Sequence, residues 1–304
     1  VSKQLAKLRC FMDNLIRELK KKYPSFSKGQ KLIADFIADH YDRAPFMTAA
    51  KLGEEVGVSE STVVRFAIEM GYDGYPRLQK ALREVIKSRL TSVQRLDVSS
   101  EKIDSESVLK SVLQADLNKI KATLEDADPV NFDSIVEEIL KARRIYILGV
   151  RSSAPLASFL GFYFNLIFED VRLVHTTSVS EMFEQIVNAG KGDAVIGISF
   201  PRYSKRTTKA MQFARKQGAT VIAITDNGSS PLALSANYCL FARSDMASFV
   251  DSLVAPLSVI NALIVAIGLK RKEKVHNTFE RLEKIWDEYQ VYEKGEQYTE
   301  LDHD

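Results

Sequence analysis

The 304-residue sequence predicts a multidomain protein, with an N-terminal all-α helix-turn-helix domain and a C-terminal α/β domain whose five-stranded, mostly parallel sheet lies between helices. Three observations predict this. Two short, separately capped helices meet around Gly57-Val58-Ser59. Apolar strands alternate with helical segments from residue 145 to 241. Charge is also split: residues 1–95 hold 18 Lys and Arg against 11 Asp and Glu, whereas the remainder holds 24 against 29. A basic N-terminal third on an otherwise acidic chain suits a polyanionic partner. The expected division is a helix-turn-helix domain at 1–90, a polar linker at 91–107, a ligand-sensing domain at 108–294 and an acidic tail at 295–304.

Residues 5–22 carry apolar side chains at helical spacing, and Pro24 closes that segment. A helix from about Ser27 to His40 follows, with Ser27 and Gln30 at capping-box spacing. Thr48 caps a short helix ending at Gly57, and Ser59 caps the next, ending at Gly71. Leu52, Val56, Val63, Phe66 and Ala67 are expected to pack the pair, with Val58 plugging the same core. The second helix is the expected reader of a DNA major groove, entering by its N-terminal end. Ser59, Ser61 and Thr62 offer hydroxyls to phosphates or base edges, and Arg65 has the reach and donor geometry for guanine or two phosphate oxygens. A basic helix at 75–90 follows, on which Arg77 and Lys80 share a face and are expected to touch the DNA backbone.

A helix from about 108 to 125 and another from about 132 to 142 precede the first strand, 145–149. Further strands are expected at 171–175, 193–200, 219–226 and 238–241, with helices at 153–168, 179–189 and 204–217. Uniformly apolar strands imply a sheet covered on both faces, and ligands of such sheets sit outside the carboxyl ends of the strands. Those ends are rich in hydroxyls and cations. Ser152 and Ser153 follow the first strand; Ser199, Arg202, Tyr203, Ser204 and Arg206 follow the third. With helix starts beside them, they compose a cradle for phosphate or carboxylate.

Several classes are disfavoured. GVRSSA at 149–154 has only the first glycine of a dinucleotide fingerprint, and no phosphate-loop motif of the Walker type occurs, so no cofactor is expected. Two cysteines, Cys10 and Cys239, and four scattered histidines predict neither disulfide nor metal site. The apolar stretch 249–269 contains Asp251, Pro256 and Asn261, which favours a buried helix over a membrane span. The basic start lacks a long apolar run and a cleavage site, so a cytoplasmic protein is expected.

Two stretches resemble one family. MTAAKLGEEVGVSESTVVRFAIEMGYDGYPRLQKAL (47–82), with IYILGVRSSAPLA, GDAVIGISFPRYS and GATVIAITDNGSSPLALSAN, is similar to the RpiR-type transcriptional regulators, which join a helix-turn-helix to a sugar isomerase (SIS) domain. The resemblance implies a homodimer or homotetramer on palindromic double-stranded DNA, controlled by a phosphosugar or related small anion. The family pattern G-x-G-x-S falls on Gly149, Arg151 and Ser153, and S-x-S-G-x-T on Ser199, Pro201, Arg202 and Ser204. Arg151, Pro201 and Arg202 depart from it. Proline removes a hydroxyl and a backbone donor, and arginine does not take glycine's backbone angles cheaply, while its guanidinium forks onto anions. A SIS fold also serves isomerases. His175 with Glu181 or Glu184 would be the candidate acid–base groups, but no enzyme is expected. The alternatives are a sugar-phosphate isomerase with a helical appendage and a non-catalytic assembly module.

Overall fold

The computed structural model describes residues 18–19, 21–40, 43–87, 93, 96, 107–174, 176, 178–244 and 250–292. The expected first helix lies mostly outside these residues, although 18–19 and 21–22 are helical. Nearly all of the expected linker, the acidic tail and His175 also fall outside them.

The N-terminal unit is helical. It contains α1 (Lys28–Asp39), α2 (Ala49–Val56), α3 (Glu60–Glu69) and α4 (Tyr75–Lys87). Ser27 and Gln30 form both halves of a capping box on α1. At the end of α2, Gly57 is left-handed (φ 75°), its N–H bonds to Glu54 O, and Val58 N–H bonds to Gly53 O at 2.8 Å. This is a Schellman closure, and it redirects the chain within two residues into the cap of α3. Ile33, Leu52, Val63, Phe66 and Leu78 are sealed in one core, with Val56 and Val58 packed against it as expected. Phe66 meets Phe26 edge-on at 5.2 Å.

One buried tyrosine ties α4 to the rest. Tyr75 donates through its hydroxyl to Met47 O at 3.0 Å and Ala44 O at 3.4 Å. Gln79 reaches the same Met47 carbonyl, and Arg83 Nε bonds to Pro45 O at 2.8 Å. Burial pushes the Tyr75 hydroxyl up to about 12, with the Arg83 charge opposing. A phenol raised in the folded state stabilises the fold below its ordinary range, and that stability is lost as pH climbs through the folded value. The helical signal of the wild type should therefore weaken in urea between about pH 10 and 12. Tyr75→Phe should remove that component of the pH dependence, leaving a flatter profile in the same window. Identical profiles would show that Tyr75 is not the group responsible.

The C-terminal unit starts with α5 (Val108–Glu125) and α6 (Pro129–Lys141). It continues as β1 (Arg144–Gly149), α7 (Ala154–Ile167), β2 (Val171–Val174), α8 (Val179–Ile186), β3 (Asp193–Ile198), α9 (Lys205–Lys216), β4 (Thr220–Thr225) and β5 (Tyr238–Phe241). Two helices, α10 (Val254–Lys270) and α11 (Lys272–Glu288), close it. The strand order is β2-β1-β3-β4-β5, and every pairing is parallel. The two faces follow the two-residue period of the strands. Ile145, Ile147, Ile196 and Ile222 point to a layer made by α6, α7 and α10. Tyr146, Leu148, Val195 and Val221 point to α8 and α9.

Some expected boundaries move. The third strand ends at Ile198 rather than at residue 200, because Ser199–Ser204 turns away to cap α9. A 3-10 turn at Arg151–Ser153 precedes α7. The stretch 249–269 yields α10, whose Pro256, Ile260, Leu263 and Ile267 are buried. Among the described residues no single helix is long and apolar enough to cross a membrane; α10 and α11 pass only as a pair bent by 97°.

Candidate functional site

Two surfaces gather the residues singled out above. The first is the N-terminal half of α3. Ser59 Oγ accepts from Thr62 N–H at 3.3 Å and lies 2.9 Å from Ser61 Oγ and 2.8 Å from Thr62 Oγ1. Ser59, Ser61 and Arg65 are exposed and Thr62 is half-buried. Arg65 Nε rests on Ser61 O at 3.3 Å, one turn back on its own helix. Arg77 and Lys80 are exposed on α4. Gly53 sets how closely α2 meets the turn before α3: a Cβ there would come 2.7 Å from Val58 O. Lys22, which the sequence did not single out, donates to Glu69 O at 2.7 Å, at the far end of α3.

The second surface lies at the carboxyl ends of β1 and β3. The chain leaves β1 for β2 on one side and later returns to β3 on the other, so this is the switch point of the sheet. Gly149 pairs with Ile198, so the two following loops leave the sheet as neighbours. A Cβ on Gly149 would come 2.6 Å from Ser153 O, because the 151–153 turn folds tightly over the strand end. Ser153 and Ser199 are buried, Ser204 is half-buried, and Ser152, Arg202 and Arg206 are exposed. Ser199 Oγ accepts from Ser204 N–H at 3.0 Å, and Ser204 Oγ accepts from Thr207 N–H at 3.2 Å, capping α9. Thr207 itself is fully buried, and its hydroxyl has no hydrogen-bond partner.

The reluctance of arginine toward glycine's backbone angles does not keep it from them. Arg202 is left-handed at φ 66°, and so is Arg151 at φ 55°. For a residue with a Cβ that conformation costs about 1–2 kcal/mol. The sequence named Arg151 only as a departure; it lies on the loop after β1 as Arg202 lies on the loop after β3, and those two strands are neighbours. Asp226 was likewise not among the chosen residues. It lies at the end of β4 and accepts from Tyr203 Oη at 2.8 Å, Thr225 Oγ1 at 3.2 Å and Asn227 Nδ2 at 2.8 Å. Its signal in the sequence was the Thr-Asp-Asn run closing an apolar strand. Ser152 Oγ donates to Asp251 Oδ2 at 3.4 Å. Of the considered acid–base groups, Glu181 is exposed and bonded by the Thr176 hydroxyl, and Glu184 is exposed. Among the described residues no cluster of His, Cys, Asp and Glu is arranged for a metal ion.

A helix-turn-helix followed by a parallel sheet with a hydroxyl- and arginine-lined switch point is the build of a transcription regulator with its own sensing unit. Comparison with known proteins agrees. Residues 13–89 match the helix-turn-helix domain of the rpiR family, and residues 138–266 match the SIS domain. The chain is 26% identical over 288 residues to an uncharacterized HTH-type transcriptional regulator of Caldanaerobacter subterraneus subsp. tengcongensis, covering 90% of this chain and 97% of that one. Among solved structures it is similar to the sugar isomerase domain of an RpiR transcription factor from Sphaerobacter thermophilus (25% identity, 57% of this chain and 96% of that one, TM-score 0.54). The Vibrio vulnificus NanR protein complexed with ManNAc-6P shares the fold over 90% of this chain and 98% of that one, at 22% identity and TM-score 0.54. The chain belongs to the RpiR-type regulators that join a helix-turn-helix to a SIS domain.

Proposed function

We propose that this regulator binds a palindromic DNA operator through α3 and α4, and that a small anionic metabolite of the phosphosugar class, seated at the β1–β3 switch point, controls that binding. The observation that carries the first half is the exposed run Ser59, Ser61, Arg65 at the N-terminal end of a helix whose opposite face, Val63, Phe66 and Ala67, is sealed in the core. Such a helix presents hydroxyls, a guanidinium and its own N-terminal dipole to a groove. Arg77 and Lys80 add phosphate contacts alongside. The second half is supported by Ser152, Ser153, Ser199, Arg202, Tyr203, Ser204 and Arg206 around the switch point, and by the phosphorylated sugar named for the NanR complex. Two copies are needed for a palindrome, and α5 offers the surface: Leu109, Leu113, Leu117, Ile120 and Leu124 form an exposed apolar stripe along one side of that helix.

The test starts from duplexes selected by the protein from a random DNA library. Arg65→Ala should weaken binding to the selected sequence by about 1–3 kcal/mol and relax preference at one base position. Arg77→Ala and Lys80→Ala should weaken binding to all duplexes alike and lower the salt slope by about one each. Undiminished binding by Arg65→Ala would remove α3 as the reading helix. Failure to enrich any duplex would remove the DNA-binding reading itself.

A further inference from the structure

We infer that Lys28, in the first turn of α1, is a further phosphate contact of the operator, beside the bases that α3 reads. This rests on the reading of α3 as the helix that enters the DNA groove. The chain ahead of α1, and its first turn, run along α3. Lys22 Nζ donates to Glu69 O at the carboxyl end of α3. Phe26 then packs edge-on against Phe66. Gly29 reaches the amino end, where a Cβ on that glycine would come 3.3 Å from Thr62 Cγ2 and from Val58 Cγ1. Thr62 Oγ1 lies 2.8 Å from Ser59 Oγ, and Ser59, Ser61 and Arg65 are exposed. The first turn of α1 is thus continuous with the surface proposed to meet DNA.

Charge on this segment is one-sided. Residues 19–34 contain Lys20, Lys21, Lys22, Lys28 and Lys31 and no Asp or Glu. The described lysines are not equivalent. Lys21 lies 3.9 Å from Glu18, and Lys22 is bonded to the end of α3. Lys31 Nζ sits over the Tyr23 ring, 5.6 Å from its centroid. Asp35, the first carboxylate on α1, accepts from the Tyr23 hydroxyl at 2.9 Å. Lys28 is exposed and, among the described residues, has no hydrogen bond or ion pair. An exposed lysine alone is a solvated surface charge. What singles out Lys28 is its place, one residue before the glycine that lies against Thr62. Its flexible stem and compact ammonium suit a phosphate, which it meets as a point charge whatever the neighbouring base. The dipole of α1 favours the same anion, but the lysine supplies the charge.

The test uses the full chain and duplexes it selects from random DNA. Lys28→Gln should weaken binding to selected and unrelated duplexes alike, and should lower the salt slope by about one per half-site. Lys28→Arg should retain both. Lys284→Gln removes the same charge from α11, on the C-terminal unit, and should change neither. The deciding readout is local: phosphates of the selected duplex are replaced one at a time by uncharged methylphosphonates. At a position flanking the base whose preference Arg65→Ala relaxes, the replacement should weaken the wild type and leave Lys28→Gln unaffected. The side chain is exposed, so each variant should melt with the wild type. If Lys28→Gln behaves as Lys284→Gln does, the inference falls while α3 remains the reader. The same holds if every methylphosphonate keeps its effect in Lys28→Gln. If no duplex is enriched, or Arg65→Ala relaxes no base position, the parent reading falls and this inference with it.

Discussion

Gly53→Val should abolish DNA binding by unfolding the N-terminal unit while leaving the C-terminal sheet intact. The added Cβ would come to 2.7 Å from Val58 O and 3.3 Å from Glu60 N, and both of those atoms are backbone. They belong to the turn that aims α3, so relief requires the turn to move away from α2. That movement breaks the bond from Val58 N–H to Gly53 O and opens the shared core at Leu52 and Val63, both fully buried. A core opened in this way costs about 3 kcal/mol or more, a large share of the stability of a small helical unit. Circular dichroism should show helix loss, while any ligand-induced rise in melting temperature persists. Normal duplex binding by the variant would mean that α2 and the turn tolerate separation, contrary to the packing described.

The second large effect is expected on α5. If two copies pair through α5 as proposed, Leu113→Asp combined with Leu117→Asp should leave monomers. The stripe Leu109, Leu113, Leu117, Ile120, Leu124 repeats at helical spacing, and its members are 40–75% exposed. Burying a leucine against a second copy contributes about 1.5–3 kcal/mol, and burying a carboxylate there is strongly unfavourable. Two such changes should weaken association by about a thousandfold or more. Sedimentation should report the change directly. Affinity for a two-half-site duplex should fall with it, because linked half-site readers gain from effective concentration. An unchanged oligomer would place the subunit contact elsewhere.

The sequence was most legible where structure is local. Thr48 and Ser59 cap the helices they were expected to cap, and Gly57 ends α2. Their signals lie within four residues of their effects. Element types in the α/β unit were legible for a similar reason, since short, uniformly apolar runs such as Ile145–Leu148, bounded by polar segments, mark buried strands. The start of α6 was missed by three residues, although Asp128-Pro129 is a cap followed by proline at the first helical position, a sufficient local signal. Strand order was not legible, because β1 and β3 become neighbours through pairing across about fifty residues of chain. The residues of both loops were expected to form one cradle, but the pairing that sets the loops side by side could not be read from the sequence. The left-handed conformations of Arg151 and Arg202 had their signal in the family resemblance, which puts both at pattern glycines; the arginines and their neighbours alone carry none.

The bonds from Tyr75, Gln79 and Arg83 to the 44–47 segment carry a consequence for signalling. They fasten the helix bearing Arg77 and Lys80 to the core that also holds α3. On the proposed reading, reader and backbone grips thus travel as one solid piece, like type set in a block. Three bonds hold α4 to the 44–47 segment, so movement of α4 within the block means breaking them. What remains adjustable is where two blocks stand and how they are turned relative to a groove that recurs about every 34 Å. On the proposed reading, an effector would act as a change of gauge, and the response would depend on half-site spacing.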